Sequence, residues 1–453
     1  MSTKLKNRSL FDVDGVPKFL TALPLAMQHL LAMIVGNITP AIIVSGVVKA
    51  DAATTTLLIQ AAMIAAGLST LLQIYPIWKF GAKLPVVTGV SFAFVPTLIS
   101  LGALYGLEGV FGAQLIGGIA AIVVGVFIKR LKKHFPPIVA GTVVLTIGLS
   151  LYSVATGYMA GGFGSPEFGA QVNWGIAIFT LLVVLICNQF AKGYTKLASI
   201  LIGIVAGYLV SIPFGLVDFT AVKTSAWFAL PTFMPFKMTF HVDAVITCIL
   251  VFIVASIEIV GDLSAVTGGA CKRDITDKEL SGGILGMGIS SALATVFGGL
   301  PVATYSQNVG LVLMTKVTSR FVIAIAAGFM LVAGFVPKFG ALVTTVPAAV
   351  LGGATVTVFG MITMAGIQII IGDELSTRNI TIVGLSVALG MGIVGVGGAG
   401  ALDQFPKWVK VIFGESAVVI SSLLAFIFNL LLPKKTLAEE EEERKAMDMA
   451  SSS

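Results

Sequence analysis

The chain has 453 residues, of which 57% are hydrophobic and only 11% charged, and its mean hydropathy is +1.01. Soluble domains carry about 25% charged residues, so this composition excludes a soluble protein and predicts an all-α polytopic membrane protein. The formal charge of +6 does not point to nucleic acid, because its meaning depends on where the charges sit.

Residues 1–18 form a basic, polar N-terminal segment with Lys4, Lys6 and Arg8 and no small-residue cleavage site, so no removable signal peptide is expected. Apolar stretches of about 20 residues then mark candidate spans. They fall at 19–45, 55–76, 84–101, 107–128, 137–159, 173–190, 197–217, 242–267, 282–299, 300–315, 321–337, 346–371, 379–397 and 412–432, which makes fourteen. Residues 218–241, between spans seven and eight, are aromatic and hold Pro231 and Pro235. They are expected at the outer interface, anchored by Trp227. Residues 433–453 read as a charged, disordered cytoplasmic tail. Cys187, Cys248 and Cys271 have neither metal spacing nor a disulfide pattern, and no cofactor or metal is expected.

Charge placement supports the count. With the N-terminus in the cytoplasm, inside segments hold 22 of the 28 Lys and Arg, including the cluster Lys129, Arg130, Lys132 and Lys133. Outside segments hold six, namely Lys49, Lys223, Lys237, Lys338, Lys407 and Lys410. That is the positive-inside bias, and removing one span would reverse it for everything downstream. Both termini are therefore expected in the cytoplasm.

Two spans are interrupted. LPVVTGVSFAF from Leu84 and LPVATYSQNVG from Leu300 share an opening and place Ser91 against Gln307 and Phe92 against Asn308. They are the third and tenth spans. Seven is an odd offset, so the second half must be inverted, giving a 7+7 inverted repeat over 19–217 and 242–432. Broken segments at matching places in two halves point to a transporter's substrate site, with half-helix N-termini facing its centre.

Intramembrane ionisable and amide groups supply the candidate chemistry. Glu258 and Asp262 are four apart and share one helix face. An apolar setting favours the neutral acid, which suits a proton carrier; the alternative is a structural carboxylate bonded to nearby backbone. His29, beside Gln28, is the only histidine inside a span, whereas His134 and His241 sit at span edges. His29 suits a structural or conformational role, or direct contact with substrate or proton. Gln307 offers one acceptor and two donors, an edge that matches a lactam, and the Gln307–Asn308 pair could equally join helices. On a strand-like segment the two amides would point oppositely, one to substrate and one to protein. Phe92 is either core or a platform for a planar ring.

These residues resemble the nucleobase–ascorbate transporter family, also called nucleobase–cation symporter-2, whose members include xanthine, uric acid and uracil permeases. The family signature is matched by Gln307-Asn308-Val309-Gly310 with Thr315-Lys316, its Gln-His by Gln28-His29, and its span-eight carboxylate by Glu258 with Asp262. Ser91-Phe92-Ala93-Phe94 and the stretch from Gly352 to Gly360 resemble two further family segments. The resemblance covers nearly the whole chain. It implies a core of spans 1–4 and 8–11 and a gate of spans 5–7 and 12–14. It implies a base held by Glu258 and Gln307, stacked on Phe92, with backbone near Ser306 and Phe359 completing the pocket. It further implies proton coupling and a homodimer. Gln at the first signature position is similar to members that take xanthine or uric acid, and Glu there to uracil permeases. Met287 stands where many members carry Asp, and Ala93 where some xanthine-selective members are polar.

The expectation is a proton-coupled purine permease in the cell membrane, and not an enzyme, since no nucleophile–base pair, metal spacing or nucleotide loop is present. One alternative is a uracil permease, against which Gln307 argues. Another is an anion transporter of the same 7+7 architecture, against which Glu258 and the short tail argue. A purely structural membrane protein leaves the carboxylates and amides without a use.

Overall fold

The computed structural model describes residues 9–131, 136–163, 165–397, 400–414 and 416–451. Lys4, Lys6, Arg8, Lys132, Lys133 and His134 lie outside them. The chain runs through α1 (Phe19–Val47), α2 (Ala52–Ile74), β1 (Thr88–Val90), a single turn at Phe92–Phe94, and α3 (Val95–Leu131). It continues with α4 (Pro137–Ser150), α5 (Tyr152–Met159), α6 (Gln171–Phe190), α7 (Tyr194–Leu197), α8 (Ser199–Ser211) and α9 (Thr220–Thr224). The second half holds α10 (Val242–Ala265), α11 (Asp277–Val296), β2 (Val302–Thr304), α12 (Ser306–Thr315), α13 (Arg320–Gly334) and α14 (Pro337–Thr344). Last come α15 (Ala348–Ile371), α16 (Thr377–Gly397), α17 (Lys407–Phe413), α18 (Ala417–Leu431) and α19 (Leu437–Ser451).

Among the described residues, nine helices are long and apolar enough to cross a membrane, or eleven if α13 with α14 and α17 with α18 are each one bent span. The protein is a multi-pass membrane protein. Length and apolarity thus do not return the fourteen expected spans, and the reasons are local. The predicted tenth span is a three-residue strand followed by the ten-residue α12, and the seventh contains only the 13-residue α8. The predicted third and fourth spans run together as α3, broken at Gly106, where φ is 64° and ψ −170°. A straight helix of that length would be about 55 Å long against a hydrocarbon core of about 30 Å. The Gly106 break therefore decides whether α3 crosses once or twice.

The helices pack in two sets. In one, α2 lies along α13 and α3 along α11; in the other, α15 lies against α4, α5 and α6. In lipid no hydrophobic force pulls helices together, so close backbone approach does. A Cβ on Gly288 of α11 would lie 2.7 Å from the Gly118 carbonyl oxygen of α3, a distance no side chain tolerates. The 218–241 connection is short helix α9 followed by irregular chain. Its Ala229 and Met234 N–H groups donate to the Phe335 and Val296 carbonyls, and Lys338 lies 4.5 Å above the exposed Trp227 ring.

The N-terminal segment docks on the start of α13. Leu10 C=O accepts from the Thr318 and Ser319 N–H groups, and Val13 C=O from that of Arg320. Arg320 is buried, donates to the Asp14 carboxylate and to the Ile74 carbonyl at the end of α2, and lies 5.2 Å from the Tyr75 ring. One cation thereby joins three chain segments. Arg320→Met, similar in length but unable to donate, should lose about 2–3 kcal/mol of stability, since Asp14 is partly solvated and relaxes. The readout is the thermal midpoint of the detergent-solubilised protein.

The tail expected to be disordered is helical as α19. Thr436 accepts from the Glu439 N–H while Glu439 accepts from the Thr436 N–H, a reciprocal cap that starts the helix. Glu440 is buried and accepts from the Thr377 N–H at 2.8 Å and its hydroxyl at 2.9 Å, tying α19 to the start of α16. Composition did not reveal this, because the stabilising partner is remote in sequence.

Candidate functional site

β1 and β2 meet antiparallel in the middle of the bundle, with Thr88 opposite Thr304, Gly89 opposite Ala303 and Val90 opposite Val302. Thr88 and Thr304 are the equivalent threonines of the two LPVxT segments. A two-fold relating the halves would therefore pass between them. A two-stranded sheet leaves backbone groups on its outer edges, which an apolar environment cannot satisfy. Side-chain hydroxyls do so here. Thr70 of α2 accepts from the Thr88 N–H and donates to its C=O, both at 3.0 Å. Ser291 of α11 does the same for Val302, at 3.1 and 3.3 Å.

Each strand runs into the N-terminus of a helical segment. After β1 comes the Phe92 turn, and after β2 comes α12, whose first residues are Ser306, Gln307 and Asn308. The two amides thus lie on a helical turn and not on the strand-like segment expected. Neighbours on a helix diverge by about 100°, so they still face different ways. Asn308 faces protein: its Nδ2 donates to the His29 carbonyl at 3.0 Å and lies 3.2 Å from His29 Nδ1. Gln307 is half-buried and takes no part in these bonds.

α10 packs against the Phe92 turn, β2 and α12. It brings Asp262 to the β2–α12 junction, where the carboxylate accepts from Thr304 at 2.5 Å and from Ser306 at 2.8 Å, one hydroxyl on each oxygen. Glu258 sits one turn away and is half-buried, with Oε2 enclosed and without a hydrogen-bond partner among the described residues. Phe92 is nearly fully buried, and the Phe359 ring of α15 packs edge-on against it at 5.1 Å. Met287 is buried in α11, so no charge stands at that position.

The structure therefore brings Asp262, Ser306, Gln307 and Asn308 to one junction. His29 is tied to Asn308, Glu258 lies one turn along α10, and Phe92 and Phe359 form an aromatic pair. Tyr305, Asn37, Thr70 and Ser291 were missed by sequence reasoning. Only their position beside the LPVxT segments or on facing spans could have signalled them.

The chain matches the permease-family model Xan_ur_permease over residues 20–397. The protein belongs to this xanthine and uric acid permease family. It is similar to a putative purine permease of Clostridium perfringens, 37% identical with 96% of each chain covered. It is also similar to the uric acid permease PucK of Bacillus subtilis, at 35% with 91% of this chain and 95% of that one. The xanthine permease XanQ of Escherichia coli K12 is 32% identical, with 94% of each covered. Among solved structures, the transmembrane domain of a cyanobacterial bicarbonate transporter, BicA, superposes with a TM-score of 0.56 at 16% identity, over 90% of this chain and 97% of that one. Murine Slc26a9 gives 0.57 at 11% identity, over 90% and 68%. These shared folds are helical membrane bundles. As a member of the permease family the protein is a transporter and not an enzyme.

Proposed function

We propose that the protein is a proton-coupled symporter that imports a purine nucleobase, xanthine or uric acid, across the cell membrane. The observation that carries the reading is the junction of β2 and α12. There Asp262 anchors Ser306, the adjacent Gln307 keeps a neutral amide uncommitted, and Glu258, one turn along α10 from Asp262, has an enclosed oxygen without a partner among the described residues. A purine edge of alternating N–H and C=O groups pairs with an amide and a carboxyl group, and its face stacks on an aromatic ring. Glu258 and Gln307 bind the base, Phe92 stacks on it, and Ser306, Asn308 and Phe359 shape the pocket. Glu258 carries the proton, while Asp262 and His29 hold the coupling geometry.

The architecture that goes with this reading is fourteen spans in a 7+7 inverted repeat, with the third and tenth broken. Spans 1–4 and 8–11 form a core that moves against a gate of spans 5–7 and 12–14, exposing the site to each side in turn. The cross-strand pairing of the equivalent Thr88 and Thr304 supports the inversion. Both termini are cytoplasmic, 218–241 is external, and two copies associate in the bilayer.

The deciding experiment is uptake of labelled xanthine, urate, uracil, guanine and hypoxanthine into cells lacking other permeases, with and without an uncoupler. Saturable, uncoupler-sensitive xanthine or urate uptake is expected. Preference for uracil would move the protein to the pyrimidine members, and uptake of none would end the reading. Orientation has its own check. A cysteine replacing Arg130 should react with an impermeant maleimide only from the cytoplasmic side, and one replacing Ser165 only from outside. Reversed labelling would overturn the charge-based topology.

A further inference from the structure

Val90 carries the last backbone groups that β1 turns away from β2 before the chain enters Phe92. Both are held by side chains from distant segments. Asn37, fully buried in α1, accepts the Val90 N–H through Oδ1 at 2.8 Å. Tyr305, at the start of α12, donates its hydroxyl to the Val90 carbonyl at 2.7 Å. Gly89 makes room for both: a Cβ there would lie 2.7 Å from Asn37 Oδ1 and 2.9 Å from the Tyr305 hydroxyl oxygen. Gly36, beside Asn37, faces the Phe92 and Tyr305 rings. Asn37 Nδ2 is buried without a partner among the described residues. Simple edge coverage does not require such a donor, since Thr70 and Ser291 manage it with one hydroxyl each.

We infer that Asn37 and the Tyr305 hydroxyl are positioning residues for substrate selectivity, because together they set the gap between Phe92 and Gln307. The inference rests on the proposed roles of those two contacts. Tyr305 lies two residues before Gln307, and the peptide it grips lies two residues before Phe92. The two broken segments are thus tied at the point from which their substrate contacts diverge. Asn37 grips the same peptide from α1, whose His29 is bonded to Asn308, so α1 braces both sides of the gap. A planar base must fit between a ring and an amide, and a displacement of either changes which bases fit before it changes whether the bundle folds.

Tyr305→Phe keeps the ring and removes one oxygen, while Asn37→Ala removes the acceptor. Each should raise the KM for labelled xanthine by about tenfold or more and alter the rank order of xanthine, urate and uracil. Vmax per molecule at the surface should stay near the wild-type value. Reduced surface amount or Vmax, with KM and rank order unchanged, would mean simple scaffolding and overturn the inference. Should Asn37→Ala not reach the membrane, Tyr305→Phe decides alone. Wild-type protein that binds none of the three bases would instead overturn the proposed function, and the inference with it.

Discussion

Glu258→Gln is expected to bind and exchange substrate yet fail to concentrate it. One charge crossing the membrane potential is worth about 2.3 kcal/mol per 100 mV, enough for roughly fiftyfold accumulation of a neutral base. The carrier of that charge must lie near the substrate and change protonation there. Two carboxylates qualify by position, and their bonding separates them. Asp262 has a hydroxyl on each oxygen and holds the β2–α12 junction as an acceptor. Glu258 has an enclosed oxygen with no partner among the described residues, the arrangement a group needs if a proton is to come and go. Glutamine mimics the protonated acid and removes the charge cycle while leaving the shape. His29→Asn should be milder, since His29 meets Asn308 partly through its backbone carbonyl, which the substitution keeps. Uptake into liposomes against an imposed pH gradient tests both variants. If Glu258→Gln still concentrates substrate, the proton travels elsewhere, and Asp262 becomes the residue to examine.

Gln307→Ala should cripple binding while the protein still reaches the membrane. Losing the amide leaves polar groups of the buried base unpaired, which costs about 1–3 kcal/mol, roughly 5- to 150-fold in affinity. Gln307 takes no part in the bonds around Asp262 and Asn308, so its removal leaves the β2–α12 junction intact. That separates it from Asn308, whose loss would also release His29. Binding is read by titrating labelled xanthine on purified protein alongside surface abundance. Wild-type affinity in the variant would remove Gln307 from the site. Gln307→Glu should move preference toward uracil, read as the ratio of the two affinities.

Sequence by itself determined the membrane class and marked the two LPVxT stretches that the structure pairs as β1 and β2. Those signals are local: long apolar stretches have one stable solution in lipid, and Pro, Gly and paired amides inside such a stretch mark where helix must give way. The spacing of Glu258 and Asp262 by four similarly placed them on one helix face. Tertiary structure alone decided what each group bonds. That Asp262 is spent on Thr304 and Ser306, and Asn308 on His29, depends on α10, α12 and α1 meeting, with partners 42 to 279 residues apart. Gln307 and Asn308 begin a helix and do not continue a strand, because β2 ends at Thr304 and α12 begins at Ser306. Tyr305 and Asn37 carry no motif of their own. Only the fold determines that these two side chains are the ones within reach of the outer peptide groups of Val90.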